Sequence, residues 1–207
     1  MFTGIVRAVG KIVNTAPIKE GDQQAGLRLT VDAAELDLSQ VQVGDSIAIQ
    51  GACMTVLSHA DGQFEVDISQ ESLSRTAGLD KLGPVNLEAA MKLGDTLDGH
   101  MVLGHVDGVG HIAAFEPVGE SYLLQIAAPE HCAKYLAFKG SVTINGVSLT
   151  INDVQDDAQG GCTISINLIP HTVAATTFQY ANVGDAVNIE VDTIARYVER
   201  MLQKIKA

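Results

Sequence analysis

The sequence predicts an all-β protein of two homologous, small closed β-barrels with short helices, followed by a C-terminal amphipathic α-helix. Three observations carry this. Gly4–Ile12 (GIVRAVGKI) repeats as Gly104–Ile112 (GHVDGVGHI) with five of nine positions identical, where ordinary residue frequencies give about one match. Short alternating apolar stretches, broken by Gly, Asn and Asp, recur through both halves in the manner of half-buried strands. The segment after Asp192 departs from that pattern and shows the helical period instead.

The repeat extends beyond its first block. Ile47–Val56 (IAIQGACMTV) lies over Val142–Ile151 (VTINGVSLTI), and Val85–Glu88 (VNLE) over Val187–Glu190 (VNIE), at offsets from 95 to 102. Drifting offsets put insertions in turns, and a period this long marks a duplicated domain rather than a solenoid. The expected units are a first barrel at 1–97, a second at 98–191, and a helix at 192–207.

Asp45–Leu57 reads as one strand with a bulge or a close approach at Gly51, with Ile47, Ile49 and Leu57 on one face and Ala48, Met54 and Val56 on the other. Phe64–Ile68 and Tyr122–Ile126 alternate likewise, with turns expected at Asp61-Gly62 and Val183-Gly184-Asp185. Short helices fit Ser69–Thr76 and Pro129–Ala137, the second with Pro129 at its first helical position. Asp192 is the expected cap of the last helix, where Ile194, Val198, Met201 and Ile205 share a face. Lys204 and Lys206 suit the negative end of its dipole. The apolar face needs cover, from its own barrel or from another subunit.

Composition narrows the function. Twenty-five Asp+Glu against 13 Lys+Arg give a formal charge of -12, which repels phosphate backbones and anionic lipid and argues against nucleic acid or membrane partners. Trp is absent and aromatic residues are 4%, so stacking platforms for single strands are missing. Cys53, Cys132 and Cys162 are far apart and form no CxxC, which predicts neither a disulfide framework nor a thiolate metal site. No apolar run approaches a membrane span, and MFTGIVRAVG lacks the pattern of a signal peptide. A soluble, cytoplasmic protein is expected.

MFTGIV at the N-terminus, GACMTV at Gly51–Val56 and GHMVLGHVDG at Gly99–Gly108 resemble the two-barrel riboflavin synthase family. NGVSLTIN at Asn145–Asn152, LIPHT at Leu168–Thr172 and VNIEVDTIARYVERML at Val187–Leu202 extend the resemblance over nearly the whole chain. It implies Greek-key-like barrels and a transferase that moves a four-carbon unit between two molecules of 6,7-dimethyl-8-ribityllumazine. The products would be riboflavin and 5-amino-6-ribitylamino-2,4-pyrimidinedione, with no metal or organic cofactor. It also implies a homotrimer whose sites lie between the first barrel of one subunit and the second barrel of its neighbour. A non-catalytic lumazine or flavin carrier with the same barrel pair is the alternative.

The resemblance also implies paired ligand-binding stretches. Gly4, Ile5 and Val6 correspond to Gly104, His105 and Val106, while Cys53, Met54 and Thr55 correspond to Ser148, Leu149 and Thr150. Asp67, Ile68, Ser69, Gln70, Glu71 and Ser72 correspond to Asn167, Leu168, Ile169, Pro170, His171 and Thr172. Phe2, which can anchor the terminus into the barrel, would wall the reacting ring as well, Ser46 could relay protons, and Lys139 would reach a ligand held by a neighbouring subunit.

Chemistry singles out three residues. The reaction needs a proton removed from an acidic ring methyl near neutral pH, where histidine titrates, and His105 stands opposite an apolar Ile5 in the repeat. Cys53 is either a nucleophile or a small apolar residue in a strand. Ser148 takes its place in the second half, and with Thr150 points to one side of its strand. His100 is expected to be structural. Asn145, where many family members carry Asp, Gln50 in place of Asn, and Asp98 in place of Gly are departures from the family pattern. So is a linker from Thr76 to Asn86 about two residues short; all four read as subfamily variation, since none removes His105, Cys53, Ser148 or the threonines.

Overall fold

The computed structural model describes residues 1–20 and 23–205, and among these twelve strands close into two barrels. The first contains β1 (Ala8–Glu20), β2 (Gln23–Asp32), β3 (Ser46–Ile49), β4 (Ala52–Ala60) and β5 (Gln63–Ser69). A short helix, α1 (Gln70–Arg75), precedes its last strand β6 (Gly83–Ala89). The second runs β7 (Gly108–Val118), β8 (Ser121–Ala128), α2 (Glu130–Ala133), β9 (Ser141–Ile144), β10 (Val147–Asp156) and β11 (Cys162–Leu168). Helix α3 (Pro170–Ala174) and a single 3-10 turn at Thr177–Tyr180 lead into β12 (Ala186–Val191), and α4 (Thr193–Ile205) follows.

The rings are β1-β2-β5-β4-β3-β6 and, in the same order one repeat later, β7-β8-β11-β10-β9-β12. Strands β2 and β5, and likewise β8 and β11, are neighbours without being consecutive, which is the Greek-key crossing. Each barrel has its own core, around Ile12, Leu29, Ile47, Phe64 and Leu87 in the first and Ile112, Leu124, Ile144 and Ile164 in the second.

Asp45–Leu57 is a hairpin and not one bulged strand. Gln50 and Gly51 both have positive φ, at 50° and 87°, and reverse the chain in two residues. The reversal sets Ile47 against Met54 and Ile49 against Ala52, so Met54 and Val56 join Ile47 and Ile49 inside. Leu57 lies outside, 38% exposed. Counting parity straight through the turn therefore mis-assigned the second arm. Pro129 is likewise the cap of α2, with extended backbone at ψ 158°, rather than its first helical residue. Ser69 caps α1, as the start of that helix predicts.

Two asparagines lock the barrels together. Asn86 donates to the Asn145 carbonyl and accepts the Thr177 amide. Its counterpart Asn188 donates to the Gln50 and Ala77 carbonyls and accepts the Ala77 amide. The side chains of Gln50 and Asn145 accept the backbone amides of Asn86 and Asn188 at 2.9 and 2.8 Å. Two of the departures from the family pattern, Gln50 and Asn145, are thus hairpin-tip residues that hold the pseudo-twofold seam.

Helix α4, capped by the Asp192 carboxylate on the Ile194 amide, meets its barrel through polar side chains. Glu199 accepts from Lys134 and Tyr135, and Arg196 pairs with Asp107. Ile194, Tyr197, Val198, Met201 and Leu202 stay about half exposed or more. The side chain of Ile205 and all of Lys206 lie outside the described residues.

Candidate active site

The repeated GxV loops cross over. The carbonyl of Gly4, in the first half, accepts the amide of Ser148 on β10, and the carbonyl of Gly104 accepts the amide of Cys53 on β4. Val6 packs on the second barrel's core and Val106 on the first's. Glycine is required at the crossing: φ is +76° and +75°, and a Cβ would stand 2.6 Å from that of Ser148 or Cys53.

A buried carboxylate from the last strand of each barrel holds each loop. Glu88 accepts the Thr3 amide and hydroxyl and the Gly4 amide; Glu190 accepts the amides of Leu103, Gly104 and His105. Burial raises both carboxyls above the ordinary range, against the opposing effect of these hydrogen bonds. The sequence reading passed over both glutamates, although the repeated VN[LI]E signalled them.

On the first barrel the crossing closes a cleft of about 410 Å³. Strand β4 supplies Cys53 and Thr55, exposed on its outer face, while Met54 turns inward. Strand β5 and α1 supply Asp67, Ile68, Ser69 and Ser72, and the crossing loop adds Gly104, His105 and Val106. This gathers Cys53, Met54 and Thr55 with four of the six expected residues from Asp67 to Ser72, while Gly104, His105 and Val106 stand where their first-half counterparts Gly4, Ile5 and Val6 do not reach. Gln70 and Glu71 do not line it, because α1 turns Ser72, Arg75 and Thr76 to the cleft and leaves those two to solvent. Arg75, which the reading missed although it follows Ser72 by one turn, is the cleft's one cationic side chain among the lining residues. The Asp67 carboxylate already accepts from Nε and Nη2 of Arg28 in a bidentate pair.

The equivalent strand of the second barrel carries Ser148, half-buried, and Thr150, exposed, with Leu149 turned to the core. The Ser148 hydroxyl lies 2.8 Å from Nδ1 of His100. His100 is 9% exposed, and burial lowers its pKa against the nearby Asp192. Asn167, Ile169, Pro170 and His171 are exposed, Thr172 is partly buried, and Leu168 points into the core. Asn167 accepts from Ser121, and Lys139 donates to Asn152 on the strand of Ser148.

Two expected contacts lie elsewhere. The Phe2 ring is fully buried with Ala48 and Val102 between the barrels, where the chain pairs Phe2 with Val102; it anchors the crossing instead of walling the cleft. Ser46 faces Thr55 in the ladder but opens onto a separate hollow with Asp37, Gln40 and Val41. Among the described residues no group of three or more His, Cys, Asp or Glu is placed to hold a metal, and no helix is long and apolar enough to cross a membrane.

The family model described as the lumazine binding domain matches residues 3–90 and again 103–192. Over 204 residues the chain is 43% identical to a riboflavin synthase of Photobacterium phosphoreum, covering 98% of this chain and 89% of that protein. It is 40% identical to the riboflavin synthase of Mycobacterium bovis, with 98% of each covered. It is 38% identical to that of Bacillus subtilis, with 99% of this chain and 91% of that one covered. Among solved structures, LumP complexed with riboflavin superposes with a TM-score of 0.77 at 24% identity, covering 92% of this chain and 99% of that one, so the fold is shared.

Proposed function

The chain belongs to the lumazine binding domain family, and on that premise we propose that it works as a riboflavin synthase, an enzyme of the transferase class. Two molecules of 6,7-dimethyl-8-ribityllumazine react, and a four-carbon unit passes from one to the other. Riboflavin and 5-amino-6-ribitylamino-2,4-pyrimidinedione result. Beside the full-length relatives, the crossed loops carry this reading: each homologous half hands its GxV segment to the strand of the other, so the Cys53 and Ser148 strands are edged in the same way. Fixing two copies of one substrate turns their encounter into a nearly unimolecular step, worth up to about 7–11 kcal/mol of barrier.

The halves differ where donor and acceptor must differ. In the cleft of the first barrel, His105 is exposed beside the crossing and serves as the base that takes the ring-methyl proton and returns protons later. Cys53 presents its side chain on the same wall, placed to add to the electron-poor ring. Thr55, Ser69, Ser72 and Arg75 offer the hydroxyls and the cation that suit a pyrimidinedione edge and a ribityl chain. In the second half Ser148 and Thr150 hold the partner molecule, with His100 orienting the Ser148 hydroxyl.

The uncovered apolar stripe of α4 supports a homo-oligomer, which we take to be a trimer, with the second barrel of a neighbouring subunit facing the cleft and its Lys139 reaching the ligand. The test is to mix ligand-free protein with 6,7-dimethyl-8-ribityllumazine and follow riboflavin by absorbance. Many turnovers per chain are expected; tight binding without flavin would overturn the reading in favour of a carrier.

A further inference from the structure

The two crossing loops are held differently. In the first half Glu88 receives the Thr3 and Gly4 amides, and the Ile5 amide goes to the Thr3 hydroxyl instead of to the glutamate. In the second half Glu190 takes the His105 amide itself at 3.1 Å. On the other side of the same residue, Nη2 of Arg196 donates to the His105 carbonyl at 3.0 Å and to Oδ2 of Asp107 at 2.7 Å. Asp107 Oδ2 in turn accepts the Val191 amide at 2.8 Å, so the triad is tied to the end of β12. The repeat position of Asp107 in the first half is Arg7. The double grip therefore belongs to the half whose loop carries a histidine.

Arg196 lies in α4, outside the barrel ring, and its side chain is 35% exposed. The helix has a second tether, Glu199 to Lys134 and Tyr135, that touches nothing in the loop. A helix needing only attachment is served by that tether alone. A guanidinium that reaches past its own ion pair to a backbone carbonyl does something the tether does not: it limits the rotation of the peptide plane after His105 and so the direction of the imidazole.

We propose that Arg196, acting with Glu190, is a positioning residue that clamps the backbone of His105 from both sides, so that the seating of the terminal helix sets the placement of His105 in the cleft. This rests on the synthase reading for its kinetic consequence but not for its structural one. The helix that presents the uncovered apolar stripe is then also the element that aligns the base. Assembly and chemistry then share one helix.

The test compares Arg196→Gln, Arg196→Lys and Glu199→Gln in the full-length protein. Kinetics of riboflavin formation are read beside hydrogen exchange of the 103–107 segment. Arg196→Gln is expected to lower kcat about ten- to a hundredfold, the scale of a small misplacement of a reacting group, with KM little changed and faster exchange at Leu103, Gly104 and His105. Arg196→Lys, which keeps a donor in reach, should recover most of both; Glu199→Gln should resemble the parent protein. The proposal is overturned if Arg196→Gln leaves both readouts unchanged, or if Glu199→Gln reproduces its losses, which would reduce Arg196 to a helix tether. Should the parent protein form no riboflavin, the synthase reading falls while exchange still decides the clamp.

Discussion

The carbonyl of Gly104 accepts the amide of Cys53 at 2.8 Å, and the carbonyl of Gly4 accepts that of Ser148 at 2.7 Å. One bond places His105 over the first barrel, and the other places Ile5 over the second. The loop of each half thus serves the barrel of the other, which makes each crossing a joint product of the two halves.

Gly104→Ala should disable the first cleft. The added Cβ meets the Cβ and amide of Cys53 at 2.6 and 2.7 Å, with φ at +75°. A destabilisation of about 2 kcal/mol or more is expected from strain plus overpacking, with kcat falling at least about tenfold as His105 moves. Thermal unfolding and steady-state rates of the variant check both. An alanine that leaves activity and melting unchanged would remove the crossing from the account.

His100 should make the protein acid-sensitive. Burial lowers its pKa below 6.5 in the fold, so below that pH the unfolded chain takes up a proton that the folded one resists. Stability is fully present above pH 6.5 and is lost as pH falls toward the depressed value. Glu88, Glu190 and Asp107, with raised pKa values, act in the opposite sense, so the difference between parent and His100→Gln is the quantity to read. Denaturant melts from pH 8 to about pH 5 should show the variant losing less stability on acidification; parallel curves would refute the assignment.

Cys53 should be the thiol that alkylates first. It is exposed on the cleft wall, whereas Cys132 and Cys162 are buried and burial pushes the Cys132 thiol up to about 12. Peptide mapping after iodoacetamide should find label at Cys53 alone in folded protein, and less of it once 6,7-dimethyl-8-ribityllumazine is bound. Protection that fails at saturating ligand would place the ligand elsewhere.

Tyr197→Glu combined with Met201→Glu should dissociate the assembly. Both side chains are at least two-thirds exposed on α4, at 71% and 66%, and charges there would oppose burial against another copy. Light scattering should report a monomer with unchanged far-ultraviolet circular dichroism. A parent protein that is itself monomeric would defeat the trimer.

Much of this architecture was legible in the chain. The duplication, the turn at Asp61-Gly62, helix α1 and the Asp192 cap are local patterns, and local patterns report the backbone that suits them. Residues of the first half's expected ligand stretches, from Cys53 and Thr55 to Ser69 and Ser72, do line one cleft, but His105 of the second half joins them in the place of its counterpart Ile5. One failure was itself local. Met54 and Val56 were assigned the wrong face because a two-residue reversal at Gln50-Gly51 resets the strand parity.

The rest belongs to the tertiary structure. Periodicity says that the Gly104 loop bends, but not that it bends onto β4 of the other barrel. Neither the burial of Phe2 between the barrels nor the grip of Glu190 and Arg196 on His105 leaves a local trace, because each joins groups far apart in sequence. The sequence by itself determined two barrels, most of their turns and most of the first-half side chains that line the cleft. Which barrel each loop serves was decided by long-range hydrogen bonds and apolar contacts that exist only once both barrels have closed.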